Sequence, residues 1–172
     1  VNWPPLLEPI GDRTVNEETI LTFEVSATDS DYPPNSLTYS LVRPGGLPTG
    51  ATFINRMFTW TPSEQQGPVT YPFFIFRVSD GISTTYEQVD IVVNEVNQLP
   101  ILASIGNRII DEQTLLTFEV SATDSDSPSN TLTYSATGLP SGATFTNGVF
   151  TWTPSEQQGP GVYPINFIVS DG

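Results

Sequence analysis

The chain has 172 residues, of which 19 are acidic and five are arginines, and its formal net charge is −14. It contains no lysine, histidine or cysteine, so it cannot form a Ser-His-Asp, Cys-His or zinc site. The five arginines are scattered and offer no basic surface to nucleic acid or to an anionic membrane. We therefore predict that the chain is not an enzyme and has neither a nucleic-acid partner nor a membrane-inserted segment.

Apolar residues alternate with polar ones along five short segments in the first half of the chain. In chain order the apolar faces are Leu21-Phe23-Val25-Ala27, Leu37-Tyr39-Leu41, Phe58-Trp60, Phe74-Phe76-Val78 and Val89-Ile91-Val93. A period of two is typical of strands with one buried face. Turn-forming residues separate the segments, at 31–35, 44–46, 67–68 and 80–81. We expect no helix of useful length, and we place Trp60 and Trp152 in the core rather than on a sugar-binding surface.

The second half of the chain repeats the first. The motif Ala-Thr-Asp-Ser-Asp occurs at residues 27–31 and 122–126, and Phe-Thr-Trp-Thr-Pro-Ser-Glu-Gln-Gln-Gly-Pro occurs at 58–68 and 150–160. Ser-Asp-Gly at 79–81 returns at 170–172, but the strand that follows it in the first copy has no counterpart. Two explanations are open: the second copy is truncated, or another chain supplies the strand to an open sheet edge.

These patterns predict an all-β chain of two tandem Ig-like, cadherin-like Greek-key β-sandwiches. We place the first sandwich at residues 1–97, with an N-terminal linker at 1–5, and the second at 98–172. The second sandwich is expected to lack its last strand within this chain. Neither can carry the disulfide of antibody domains, since cysteine is absent.

The segment Asn94-Glu95-Val96-Asn97-Gln98-Leu99-Pro100 joins the two copies and is rich in side-chain oxygens. Its proline fixes its own backbone and pushes the preceding residue towards an extended conformation. A linker this short and stiff lets both repeats contact something bound within it. We expect that ligand to be calcium, a hard cation that takes about six to eight oxygen ligands in flexible geometry.

The motifs quoted above, together with Gly-Leu-Pro-Ser-Gly-Ala-Thr-Phe at 138–145, resemble those of a known family. They are similar to the "putative Ig", cadherin-like repeats of large bacterial surface proteins, including the dystroglycan-type cadherin-like repeats. The resemblance covers essentially the whole chain. It implies the fold strongly and the function only broadly.

In cadherin-like pairs calcium lies between successive repeats, and the resemblance implies which residues of this chain would bind it. The implied ligands at the junction are Glu17, Glu64, Asn94, Asn97, Asp124, Asp126 and Asp171. A second site at the N-terminal end of the first repeat would use Asp29, Asp31 and Asp80. Asparagine replaces an acid at both linker positions, which predicts weaker binding or fewer ions than in a full cadherin joint.

The two Asp-Ser-Asp motifs also have a simpler interpretation. The side chain of the first aspartate can accept a hydrogen bond from the backbone two residues later, which forms an Asx-turn that needs no metal. The residues alone leave both interpretations open.

We expect an extracellular or cell-surface module of a large bacterial or archaeal protein, acting in adhesion or as a calcium-stiffened spacer. Its partners would be neighbouring repeats of the same protein, a second copy through self-association, or a cell-surface or glycan ligand. Trp3, in the N-terminal linker, is the expected contact residue. The alternatives are a metal-independent structural or filament subunit with strand exchange between chains, and an accessory module of a secreted polysaccharide-degrading enzyme.

Overall fold

The computed structural model describes residues 2–33 and 35–172, and the chain divides into two compact units, Val1–Val96 and Asn97–Gly172. In the described residues both units consist of β-strands and turns, with helix limited to one short 3₁₀ turn in each. The predicted all-β fold of two sandwiches is confirmed. Among residues 2–33 and 35–172 the helical segments are these two 3₁₀ turns, and neither has the length or the hydropathy of a membrane span.

The first unit folds from short strands that form two facing sheets. Its elements are β1 (Leu6–Leu7), β2 (Arg13–Asn16), β3 (Leu21–Glu24), β4 (Ala27–Thr28), β5 (Thr38–Val42), β6 (Thr52–Ile54), β7 (Met57–Trp60), a 3₁₀ turn (Glu64–Gln66), β8 (Val69–Ser79) and β9 (Thr84–Asn94). One sheet has the order β2-β9-β8-β5, the other has the order β3-β7-β6, and β1 pairs with β4. The β2–β9 pair is parallel, and the other pairs are antiparallel.

Aromatic rings fill the space between these sheets. Phe58 from β7 and Phe74 from β8 are both 0% exposed, and their ring centroids lie 5.6 Å apart with the edge of one ring on the face of the other. Phe76 contacts Phe23 of β3 in the same way, at 5.5 Å. Such edge-to-face pairs are the preferred packing of aromatic side chains. The apolar face predicted from the alternation is therefore the core of this unit.

The second unit has the same order of elements, except that β2 and β9 have no counterpart among its strands. Its elements are β10 (Ile101–Leu102), β11 (Leu116–Glu119), β12 (Ala122–Thr123), β13 (Thr133–Thr137), β14 (Thr144–Thr146), β15 (Val149–Trp152), a 3₁₀ turn (Glu156–Gln158) and β16 (Asn166–Ser170). Its sheets are β11-β15-β14, β13-β16 and β10-β12. Trp152 is buried at the position equivalent to Trp60, so both residues belong to a core, as predicted.

The two units differ where β9 lies in the first. Gly172 corresponds to Gly81, so β9 has no counterpart among these 172 residues. Residues 108–111, which correspond to β2, form no strand, because β2 is a strand only through its pairing with β9. Phe167 corresponds to the fully buried Phe76 but is partly exposed. The second core is therefore open on this side.

Candidate metal centre

Three carboxylates meet at the C-terminal end of the first unit. Glu17 follows β2, Glu64 begins the 3₁₀ turn after β7, and Glu95 follows β9. Each offers an oxygen, and these three oxygens lie within 4.8 Å of one another. We call this set the glutamate cluster. Two oxygens bound to one calcium ion at about 2.3–2.6 Å can be no more than about 5 Å apart, so the spacing suits a shared ion.

Glu17 is the most buried member of the glutamate cluster, with 1% of its surface exposed. Its Oε1 accepts a hydrogen bond of 2.8 Å from the N–H of Val96, and its own N–H donates to the carbonyl of Asn94 at 3.0 Å. Its Oε2 is buried and has no hydrogen-bond donor among the described residues. A buried carboxylate oxygen without a donor, close to two further carboxylates, raises the free energy of the folded state unless a cation compensates.

Gly67 lies beside Oε2 of Glu17 and, having no side chain, leaves the space next to this oxygen open. A Cβ atom at this position would lie 2.5 Å from Oε2 of Glu17 and 3.1 Å from Cγ1 of Val93. Both distances are shorter than ordinary van der Waals contacts, so glycine is the residue that fits. The carboxylate thus lies in a cradle that any larger side chain would fill.

The corresponding residues of the second unit are arranged differently. Glu112 and Glu156 take the places of Glu17 and Glu64, and both are exposed. Oε2 of Glu156 accepts a hydrogen bond of 2.6 Å from Nε2 of Gln113. Burial of the glutamate cluster therefore depends on β9 and the residue that follows it.

A second set of carboxylates, Asp29, Asp31 and Asp80, lies at the N-terminal end of the first unit, with oxygens within 4.8 Å of one another. The N–H of Asp31 donates to Oδ1 of Asp29 at 2.8 Å, which is the predicted Asx-turn. The other oxygen of Asp29, Oδ2, is buried and accepts no hydrogen bond from the described part of the chain. The Asx-turn therefore uses only Oδ1 of Asp29, and Oδ2 is left available to coordinate a cation.

Asp80 lies in the turn between β8 and β9, where it accepts hydrogen bonds from backbone and side chain. The N–H groups of Ser83 and Ile82 donate to its Oδ1 at 2.6 and 2.7 Å, and Nδ2 of Asn2 donates to its Oδ2 at 3.0 Å. The backbone hydrogen bond from Ser83 is the main reason that the pKa of Asp80 is lowered from its ordinary value, although desolvation acts in the opposite direction. The carboxylate is thereby held in its charged form.

The second unit repeats this arrangement with Asp124, Asp126 and Asp171, whose oxygens also lie within 4.8 Å of one another. The N–H of Asp126 donates to Oδ1 of Asp124 at 2.9 Å, and Nδ2 of Asn97 donates to Oδ2 of Asp171 at 2.9 Å. Oδ2 of Asp124 is buried without a hydrogen-bond donor from residues 2–33 or 35–172. We call these two sets the aspartate clusters.

One asparagine in each unit holds the preceding linker against its aspartate cluster. In the first unit, Nδ2 of Asn35 lies 3.2 Å from Oδ2 of Asp31 and 3.3 Å from Oδ1 of Asn2. In the second unit Nδ2 of Asn130 lies 3.1 Å from Oδ2 of Asp126 and 3.2 Å from Oδ1 of Asn97. The linker residue is therefore part of the cluster that follows it.

The model of a family described as "Putative Ig domain" matches residues 4–94 of the chain and matches it again at residues 99–172. The chain belongs to this family. The two matches correspond to the two units described above, so each unit is one Ig domain.

The relatives of these Ig domains are parts of much longer proteins. Integrin beta-like protein C of Dictyostelium discoideum is 31% identical over 164 residues, which is 84% of this chain and 8% of that protein. The human extracellular matrix organizing protein FRAS1 is 25% identical over 152 residues, which is 76% of this chain and 4% of that protein. The chain therefore spans less than a tenth of either relative.

A solved structure of human protocadherin-24 EC1-2 has the same fold. Its TM-score to the chain is 0.55 at 14% sequence identity, and the match covers 98% of this chain and 94% of that one. At this level of identity the likeness concerns architecture alone. The predicted relation to Ig and cadherin-like repeats is confirmed.

The calcium ligands predicted for the junction belong partly to the first Ig domain and partly to the second. Glu17 and Glu64 lie together with Glu95, while Asn97 adjoins Asp171 in the second domain. The side chain of Asn94 instead donates to Oδ1 of Asn16 at 3.2 Å.

Trp3 is 61% exposed, as expected for a contact residue. Its backbone N–H donates to Oδ1 of Asp31 at 2.9 Å, so the linker is fixed while the indole remains at the surface. Gln98 takes its place in the second Ig domain, where its N–H donates to Oδ1 of Asp126 at 2.8 Å. A role for Trp3 in binding remains a prediction.

Four residues that complete the clusters were not predicted from the sequence: Glu95, Asn2, Asn35 and Asn130. The asparagines could have been recognised from the repeat, since Asn2 and Asn35 of the first copy return as Asn97 and Asn130 in the second. The signal for Glu95 was weaker, because the second copy offers no equivalent residue for comparison.

Proposed function

We propose that this pair of Ig domains is an extracellular tandem-repeat module, which binds calcium at its carboxylate clusters and acts in adhesion or as a stiffened spacer. The observation that carries the proposal is the buried, donor-free Oε2 of Glu17, which lies beside two further carboxylates. The names of the two relatives, an integrin beta-like protein and an extracellular matrix organizing protein, support a place outside the cell.

The chemistry of the clusters favours calcium over other metals. Every ligand is a carboxylate or amide oxygen, and the chain has no histidine or cysteine that would suit zinc or copper. Magnesium requires near-ideal octahedral geometry and keeps several waters, whereas calcium accepts irregular sets of oxygens. Extracellular modules commonly bind calcium with dissociation constants of about 10⁻⁴–10⁻³ M.

Bound calcium would act on the linker through the chain itself. Glu95 belongs to the glutamate cluster and Val96 donates to Glu17, whereas Asn97 and Gln98 donate to the aspartate cluster of the second Ig domain. Val96 and Asn97 are consecutive residues. A cation in each cluster would therefore fix the backbone on both sides of the Val96–Asn97 peptide bond. The linker would become less flexible, and the spacer would become stiffer.

A calorimetric titration of the metal-free chain with calcium tests this function, with magnesium as the comparison. We expect saturable calcium binding, a rise in the unfolding temperature, and slower proteolysis between residues 94 and 99. Absence of both heat and stabilisation would refute the calcium-binding function. Calcium binding without slower proteolysis would refute the stiffening of the linker.

The metal-independent spacer or filament subunit is the second candidate, and one observation favours it. The Asx-turns of both aspartate clusters are complete without any ion, because the backbone donates to Asp29 and Asp124 directly. This candidate predicts equal unfolding temperatures with calcium and with a chelator. The accessory-module alternative predicts binding to polysaccharides, which a glycan array measures.

A further inference from the structure

The hairpin between β14 and β15 turns at Asn147-Gly148, the one Asn-Gly pair in the chain. Its loop has two residues, since Thr146 lies opposite Val149. Both loop residues have positive φ angles, 50° for Asn147 and 78° for Gly148, as in a type I′ turn. This turn favours asparagine followed by glycine, so the pair has a structural role of its own.

The two residues of this turn differ in their surroundings. Asn147 is exposed, whereas Gly148 is buried, and the carbonyl of Gly148 accepts a hydrogen bond of 2.7 Å from the N–H of Val120. A Cβ atom on Gly148 would lie 3.1 Å from the carbonyl oxygen of Val120, so a side chain fits poorly there. The N–H of Gly148 donates to no acceptor in residues 2–33 or 35–172. The nitrogen that follows Asn147 therefore carries neither a side chain beside it nor a hydrogen bond.

We propose that Asn147 is a site of spontaneous deamidation, with water as the co-reactant. The backbone nitrogen of Gly148 loses its proton to solvent and attacks Cγ of Asn147. The new C–N bond closes a succinimide ring, the bond from Cγ to the side-chain nitrogen breaks, and that nitrogen takes up a proton and leaves as ammonia. Water then opens the ring at either carbonyl carbon, which gives aspartate or isoaspartate. Calcium binding plays no part in this reaction.

The first Ig domain has the same turn without the glycine. Asn55 and Arg56, between β6 and β7, have φ angles of 50° and 69°. The side chain of Arg56 is held by an ion pair of 2.7 Å with Glu24 and lies over the ring of Tyr39 at 5.6 Å. A side chain beside the attacking nitrogen hinders its approach to Cγ, whereas glycine does not. Equivalent turns of the two domains should therefore react at different rates.

The two products should affect the second domain differently. Aspartate leaves the backbone unchanged and, like asparagine, tolerates a positive φ angle. Isoaspartate carries the chain through Cβ and Cγ, and so lengthens a two-residue turn whose register is set by Thr146 and Val149. The added atom would displace the carbonyl of Gly148 from the N–H of Val120. We expect the isoaspartate form to be less stable.

Peptide mapping of the full chain after incubation in mildly alkaline buffer tests the site. Mass spectrometry detects the replacement of –NH₂ by –OH, and chromatography separates the two products. We expect Asn147 to react at least tenfold faster than Asn55 in the same sample, with both aspartate and isoaspartate at position 147. Equal rates at the two residues, or aspartate alone at position 147, would overturn the proposal.

Two variants of the first domain separate the effect of the glycine from that of a loosened turn. Arg56→Gly should raise the rate at Asn55 at least tenfold, because the attacking nitrogen is then unhindered. Arg56→Ala removes the same contacts with Glu24 and Tyr39 but keeps a side chain, so its rate should rise less than threefold. An unchanged rate in Arg56→Gly, or equal increases in the two variants, would contradict a reaction through the succinimide.

Thermal unfolding measures the structural consequence. The isoaspartate form, separated by chromatography, should unfold at a lower temperature than the unmodified chain. Asn147→Asp is the matched control, since it adds the same charge without lengthening the turn, and its unfolding temperature should stay unchanged. Equal unfolding temperatures for the isoaspartate form and Asn147→Asp would refute the predicted loss of stability.

Discussion

The N–H of Val96 donates a hydrogen bond of 2.8 Å to Oε1 of Glu17, which lies 79 residues earlier in the chain. This contact joins the last residue of the first Ig domain to the end of β2. It uses one oxygen of a buried carboxylate and leaves the other beside Glu64 and Glu95. The linker and the glutamate cluster are therefore connected by direct contacts. A substitution in one of them should also alter the conformation of the other.

Glu17→Gln separates the charge of this residue from its hydrogen bond. The amide oxygen can still accept from Val96, while one of three close carboxylates is removed. We expect the metal-free variant to be at least as stable as the parent chain, because repulsion falls. Calorimetry should show one calcium site fewer, with a loss of about 1.4 kcal/mol of stabilisation at a calcium concentration tenfold above the dissociation constant.

The matched control for this variant is Glu112→Gln, at the exposed counterpart in the second domain. It should change neither metal-free stability nor the number of sites. An equal effect of the two substitutions would contradict a special role for the buried glutamate.

Asp29→Asn and Asp124→Asn distinguish the Asx-turn from a metal ligand. Asparagine keeps the side-chain oxygen that accepts the backbone hydrogen bond, so the turn should persist and stability in chelator should change by less than about 0.5 kcal/mol. A metal site would lose a charged ligand. We expect calcium affinity at the respective aspartate cluster to fall at least tenfold, as measured by titration. Unchanged affinity would leave these residues as turn formers only.

Gly67→Ala should disturb the glutamate cluster by filling its cradle. The new Cβ would lie 2.5 Å from Oε2 of Glu17, which is buried and has little room to move. Overpacking of this kind costs about 1–3 kcal/mol, and calcium affinity should fall with it. Gly159→Ala is the matched change, since Glu112 beside it is exposed and can turn away. Denaturant unfolding of both variants should show a loss only for the first.

Phe76→Ala and Phe167→Ala measure how complete the two cores are. Phe76 is fully buried, so its truncation should cost about 3–5 kcal/mol. Phe167 is partly exposed on the open side of its core, and its truncation should cost less than half as much in denaturant unfolding of the second domain. Similar costs would mean that the second core is closed in solution.

Asp80 gives the first Ig domain an acid-sensitive contact. Because the folded state lowers the pKa of this carboxyl, its contribution to stability is complete above the unfolded pKa of about 3.9 and is lost as the pH falls through the lower folded value. With calcium chelated, the unfolding temperature should drop over this acidic range. Asp80→Asn should flatten the drop, and an unchanged pH profile in the variant would exclude Asp80 as its source.

The fold could be predicted because its main strands carry their own signals. Phe58 and Trp60 alternate with outward residues, and both are buried as expected. β2 could not be predicted in the same way, since Val15 is its only apolar residue. Its strand conformation comes from parallel pairing with β9, and residues 108–111, which lack that partner, form no strand.

The candidate site was only partly predictable for a related reason. The repeated Asp-Ser-Asp motifs indicated Asp29, Asp31, Asp124 and Asp126, because local turn geometry brings the two acids of each motif together. Glu95 lies beside Glu17 and Glu64 through contacts between residues far apart in sequence. No local pattern determines which side chain of an irregular linker turns inwards after its strand ends.

Asn97 and Gln98 donate to the aspartate cluster of the domain they precede, as Asn2 and Trp3 do in the first domain. A genetic duplication that begins just before either asparagine would copy a sandwich together with the residues that complete its acidic end. Proteins assembled from such modules can therefore lengthen by recombination in single steps, and each newly inserted copy would bring the residues that complete its own aspartate cluster.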